Sequence, residues 1–187
     1  MRILIAGFLG SIAMFAWMSI AHMATPLSST GFSQIPNEAP VLQAMESSIA
    51  KPGLYIYPWT DPKDPAAMAK MQAAEKAHGH GLLLYTPANG ARDESMAPML
   101  IQEYLKEFVQ ALIASFIVAG MGAASFARRW GTVVLIGVTA AIATNISYWT
   151  WYHFPLDFTL AAIFMEIVSG VVAGLPIAWW LGRTRRA

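Results

Sequence analysis

Four stretches of this chain are each about twenty residues long and almost free of charge, which leaves few folds open to it. A bilayer core roughly 30 Å thick is crossed by about 20 apolar helical residues. Residues 3–23, 108–127 and 130–149 contain no Lys, Arg, Asp or Glu, and 158–182 contains one, Glu166. Charged residues make up 12% of the chain and apolar ones 56%, against about 25% charged in an ordinary soluble domain. So few charges do not cover a water-soluble surface. The spacing predicts an α-helical membrane protein with four transmembrane helices and a small α/β extracytoplasmic domain between helices 1 and 2. Its parts are helix 1 over 1–23, the domain over 24–97 and helices 2–4 over 98–187.

The distribution of charge sets an orientation. Arg2 precedes the first span, Arg128 and Arg129 separate the second from the third, and Arg183, Arg185 and Arg186 follow the fourth. Every acid except Glu166 lies within 24–107 or at Asp157. The positive-inside rule then puts both termini and the Arg128–Arg129 turn in the cytoplasm, and 24–107 outside. Trp130, Trp149, Trp151, Tyr152, Trp179 and Trp180 stand where interfacial aromatic anchors belong. The competing reading of the first span is a cleaved signal peptide. Against it, the n-region is one Arg, the apolar stretch exceeds the usual ~7–15 residues, and cleavage after Ala24 puts His22 where a small residue is wanted.

The outer segment opens as a linker over 25–36. Asn37 then stands as a cap before Val41, Leu42, Met45 and Ile49 at helical spacing. Leu54 to Tyr57 and Leu82 to Tyr85 read as strands, with a helix after Pro62 and Pro65 between them. A helical crossover suggests a parallel pair. Ser95 is expected to cap a helix running uninterrupted to Arg128, with Asp93 and Glu94 at its positive end. Leu100, Ile101, Tyr104 and Leu105 on its first turns are available to hold the small domain. The run Gly53-Leu54 to Tyr57-Pro58, its echo His80-Gly81-Leu82-Leu83-Leu84-Tyr85, and the aromatic run 148–155 together resemble an uncharacterised bacterial family of four-helix inner-membrane proteins with a small extracytoplasmic domain. That resemblance implies an inner-membrane setting and no particular activity.

Glu166 is the residue most suggestive of function. An acid near a helix centre costs about 2.5–3.5 kcal/mol on insertion scales, and such residues face the bundle interior and mark function or a structural bond. Gly170 and Gly174 share its face and form a GxxxG pair. Ala111, Ser115, Ala119, Ala123 and Ala127 form a ridge of small residues on the second span, the expected partner of that glycine face, with a homodimer through the same surface as the alternative. Gln110, Ser115 and Asn145 gather with Glu166 in the outer half of the bundle, either as a hydrated ligand- or proton-binding pocket or as interhelical hydrogen bonds from Glu166 to Asn145 or Ser115.

Other chemistry is sparse. The chain has no cysteine, which excludes disulfides and thiolate sites. A net charge of +1 gives no basic excess for nucleic acid. Nucleophile-elbow and phosphate-loop motifs are absent. His22, His78, His80 and His153, with Met14 and Met18 on the face of His22 and the pairs Met68/Met71 and Met96/Met99, raise copper(I) or haem iron as possibilities, against methionine's ordinary role as gap-filler. The aromatics 148–154 stack a headgroup, quinone or glycan, or form an interfacial belt. The expectation is a non-enzymatic inner-membrane accessory, assembly or sensing subunit without cofactor, whose periplasmic domain binds a protein partner. The alternatives are a small proton-coupled carrier built on Glu166 and a metal- or haem-handling protein.

Overall fold

The computed structural model describes residues 1–88 and 95–183. The expectations resting on Asp93, Glu94, Arg185 and Arg186 lie outside the described residues. The chain is mostly helical, and among the described residues three helices are long and apolar enough to cross a membrane: α1 (Arg2–Ala24), α5 (Phe126–Tyr152) and α6 (Leu156–Arg183). Between them lie α2 (Glu38–Ser48), β1 (Gly53–Tyr57), α3 (Ala67–His78), β2 (Gly81–Tyr85) and α4 (Met96–Ala119). The chain divides into two compact units, Met1–Phe32 with Ser95–Ala187, and Ser33–Glu94.

In the first unit, α1 packs on α4 and on α6, and α6 packs on α5. Small residues set these contacts. A Cβ on Gly7 would lie 3.0 Å from the Leu112 backbone, and one on Gly10 would meet Ile177 and Ala111. The α1–α4 pair is antiparallel, because Gly7 faces Leu112 while Phe15, two turns on, meets Tyr104 edge-to-face at 5.7 Å. The α1–α6 pair is antiparallel too: Gly10 faces Ile177, and the Trp17 indole N–H donates to the Met165 carbonyl at 3.0 Å. Along α5 and α6, Trp130 donates to the Val171 carbonyl (3.1 Å) and Gly137 lies against Gly170. Arg2, Arg128, Arg129 and Arg183 therefore collect at one end of this unit, and His22, His153 and Asp157 at the other.

Two expectations about α4 are corrected. The apolar run 108–127 is not one helix: α4 stops at Ala119, and Gly122 takes a positive φ of 64° in the turn that follows. Ser125 then caps α5, accepting from the Arg128 N–H at 3.3 Å. Arg128 and Arg129 thus lie in the first turn of α5, and Arg129 is buried with its guanidinium donating to the Gly122 carbonyl (3.2 Å). Every 18-residue window of α4 contains Glu103, Lys106 and Glu107, so it is not among the apolar spans. Tyr104 turns into the bundle against Phe15, whereas Leu100, Ile101 and Leu105 are exposed.

A 3-10 turn at Pro26–Ser29 follows α1, with Thr25 accepting from the Leu27 N–H. Gly31, at φ 84°, passes so close to Phe158 that a Cβ would clash at 2.4 Å. The start of the expected linker is thus packed into the helical unit. At the other turn, Pro155 separates α5 from α6, and Tyr148, Phe154 and Phe158 form a chain of ring contacts at 5.3 and 5.4 Å. The α6 helix continues through Pro176.

In the second unit the strands pair antiparallel, not parallel, with Gly53 opposite Tyr85 and Tyr57 opposite Gly81. Asn37 stands at the N-cap of α2 in the left-handed region (φ 52°), which Asn tolerates, but its side chain makes no capping bond. Asp64 organises the start of α3: its carboxylate accepts from the Ala66 N–H (2.8 Å) and pairs with Lys70. The Lys70 ammonium and then the Ala66 N–H hold the Asp64 carboxyl below its ordinary value of 3.8. Neither α2 nor α3 has a buried residue.

Candidate functional site

The buried face of α4 reads Glu107, Ala111, Ala114, Ser115 and Val118, at spacings of three and four, with the half-buried Tyr104 one turn before it. Residues at this spacing share one face of a helix, and the helix that α4 packs on most is α1. Ser11 of α1 donates to the Phe8 carbonyl (2.9 Å) and shares a hydrogen bond with the Tyr104 hydroxyl (3.3 Å). One turn further lies Glu107, 0% exposed, with neither carboxylate oxygen hydrogen-bonded. A charge removed from water without a partner costs several kcal/mol or more. Glu107 is therefore a fully buried carboxyl whose desolvation no hydrogen bond offsets.

Glu166 lies within electrostatic range of Glu107. It lines a cleft of about 190 Å³ together with Gln110, Met14, Ala111, Gly137 and Gly170. Space remains there because α4 and α5 make few contacts while both pack on other helices. Of the expected polar set, the cleft brings together Glu166 and Gln110. It does not gather Asn145 or Ser115. The Asn145 amide donates to Ala141 of its own helix at 2.9 Å. Ser115 is fully buried, and its hydroxyl has no hydrogen-bond partner. The interhelical bonds from Glu166 to Asn145 or Ser115 are not formed.

The glycine face also has a different partner from the one expected. Gly170 lies against Gly137, and a Cβ on Gly174 would meet Trp130 at 2.9 Å and Val133 at 3.2 Å. Both are on α5, not α4. The small ridge of α4 packs on α1 instead, Ala111 meeting Gly10. Ala119 ends α4, Ala123 lies in the turn and Ala127 belongs to α5, so the ridge is Ala111 and Ser115, with Ala119 at its end. Gly7, Gly10 and Gly137, which do the close packing, were recognisable only as lone glycines in apolar runs.

Among the described residues no three of His, Cys, Asp and Glu gather as a metal site. His78 ends α3, His80 precedes β2, and His153 closes α5 in the left-handed region (φ 55°). His22 sits on the last turn of α1, its Nδ1 2.9 Å from the Met18 carbonyl. Within the aromatic run, Tyr148 and Phe154 stack on each other, and Tyr148, Trp149 and Trp151 are exposed. No protein-family model, curated protein or solved structure matches the chain.

Proposed function

We propose that this chain is a multi-pass protein of a bacterial inner membrane, acting as a non-enzymatic accessory, assembly or sensing subunit whose outer domain binds a protein partner. In this reading α1, α4, α5 and α6 all cross, alternately up and down. Both termini and the α4–α5 turn are cytoplasmic, and 33–94 is periplasmic. The clustering of arginines at one end of the helical unit supports that orientation. At 24 residues, α4 is about 36 Å long, enough to cross if Glu107 is sheltered by the bundle and Glu103 pairs with Lys106, as it does at 2.6 Å.

The observation that carries the partner reading is the face of the small sheet. Leu54, Ile56, Leu82 and Leu84 share one side of it by register, and Leu54, Ile56 and Leu84 are 63%, 46% and 78% exposed. An isolated two-stranded sheet is marginal in water and needs a further surface. Both strands are edges, with backbone groups free to extend the sheet. The test is a photo-activated cross-linker at Leu84 in native membranes, with and without Ile56→Asp. The reading predicts one stoichiometric protein adduct that Ile56→Asp removes. Cross-links only to lipid, or an adduct indifferent to Ile56→Asp, contradict it. An adduct to a second copy of the chain makes it a homo-oligomer.

A second reading, a small proton-coupled carrier, is favoured by two acids of the helical unit: Glu107, fully buried without a hydrogen bond, and Glu166, which lines the cleft. Intramembrane acids of this kind serve as proton relays. It predicts proton uptake by proteoliposomes that Glu107→Gln and Glu166→Gln each abolish.

A further inference from the structure

Where the C-terminal turns of α1 face the first turns of α4, a pocket of about 330 Å³ is lined by Met18, His22, Met23, Met96, Met99 and Glu103. The antiparallel register produces this meeting. Phe15 contacts Tyr104, so the next two turns up α1 and the two turns back down α4 bring Met18, His22 and Met23 opposite Met99 and Met96. Four of the chain's 11 methionines therefore come from two helices into one place. They are not filling a core. Met23, Met96 and Met99 are 78%, 61% and 54% exposed, whereas gap-filling methionines are buried.

The histidine is also prepared. A carbonyl oxygen only accepts, so the contact between His22 Nδ1 and the Met18 carbonyl, 2.9 Å, requires the proton on Nδ1. The neutral ring then presents Nε2 as a lone-pair donor, the arrangement that metal-ligating histidines adopt. Glu103, the one carboxylate in the pocket, is paired with Lys106, which leaves the thioethers, the imidazole and the neutral Ser19 hydroxyl, with no anionic oxygen unpaired. Such a set selects soft ions of low charge; hard cations require oxygen ligands, and zinc favours thiolate, imidazole and carboxylate.

We propose that this pocket binds a soft monovalent metal ion, copper(I), through the thioethers of Met18, Met96 and Met99 and Nε2 of His22. The site lies wholly within the helical unit and is independent of any partner at the small sheet.

The test uses the full chain in detergent micelles, titrated with copper(I) under reducing, anaerobic conditions against a chromophoric copper(I) chelator. Silver(I) serves as a redox-inert second probe, and X-ray absorption of the bound metal identifies its donors. One equivalent of copper(I) is expected, with sulfur and nitrogen scattering and no comparable uptake of zinc(II). Met96→Leu with Met99→Leu keeps volume and helix propensity and is expected to weaken binding by at least about tenfold, the soft donors being lost. His22→Gln is expected to weaken it and remove the nitrogen scattering. Met68→Leu with Met71→Leu, in α3, is expected to bind as wild type. No binding overturns the proposal, as does zinc(II) taken up as tightly, or an affinity unchanged by the Met96/Met99 substitutions. Loss of binding in the Met68/Met71 variant likewise overturns it, by assigning the metal to the small domain.

Discussion

Glu107 places a carboxyl on the buried face of α4 with no hydrogen-bond donor on either oxygen. Replacing it by Met, of similar length and apolar, is expected to raise stability by about 1–3 kcal/mol, because a desolvated polar group is exchanged for packing. Thermal unfolding in detergent measures this, and a clear loss of stability would mean that Glu107 has a structural bond. Asp64 behaves in the opposite way. Its folded value is depressed by Lys70 and the Ala66 N–H, so its contribution is fully present above the unfolded value near 3.8 and is lost as pH falls through the lower folded value. The Ala66 amide resonance is expected to titrate below 3.8 in the wild type and to stay fixed in Asp64→Asn. Glu166 was legible in the sequence because it stands alone in an apolar run. Glu107 was not: beside Glu103 and Lys106 it reads as part of a solvated turn, and only the three-and-four spacing from Tyr104 to Ala111 reveals that it shares the buried face. The directions of Ser115 and Asn145 are hidden in the sequence for a related reason. Equal depth in a bilayer does not fix which way a side chain points around its helix.

The elements themselves were largely visible, since apolar length, Pro and Gly mark α1, α5, α6 and the ends of β1 and β2. The end of α4 was hidden because the turn 120–124, Gly-Met-Gly-Ala-Ala, is as apolar as the helix before it; only the positive φ of Gly122 separates them. Strand direction was equally hidden, because a connection of helix and loops reaches either end of a short strand, and an isolated pair gains slightly from antiparallel bonding. The helix contacts carry a prediction of their own. Gly137 and Gly170 are in near-backbone contact, so Gly170→Val is expected to destabilise the α5–α6 pair by about 1–3 kcal/mol through overpacking. Ala143→Val, at an exposed position on α5, is expected to cost far less. Equal losses from the two in thermal unfolding would contradict this assignment of the tight interface.

At the scale of the whole molecule, the account depends on whether α4 crosses the membrane. Three helices qualify by length and apolarity alone; the fourth qualifies only if Glu107 is carried inside the bundle and the arginine-bearing ends share a side. With three spans, 33–94 and the α4–α5 turn would lie on the same side. With four, they lie on opposite sides. The chain has no cysteine, so a single introduced thiol reports its own position without background. The decisive measurement is labelling of Ser47→Cys and Ala127→Cys, both at exposed positions, by a membrane-impermeant maleimide whose size allows entry to the periplasm of otherwise intact cells. The account predicts that Ser47→Cys reacts in intact cells and Ala127→Cys only after the inner membrane is permeabilised. Reaction of both, or of neither, before permeabilisation would mean that α4 does not cross.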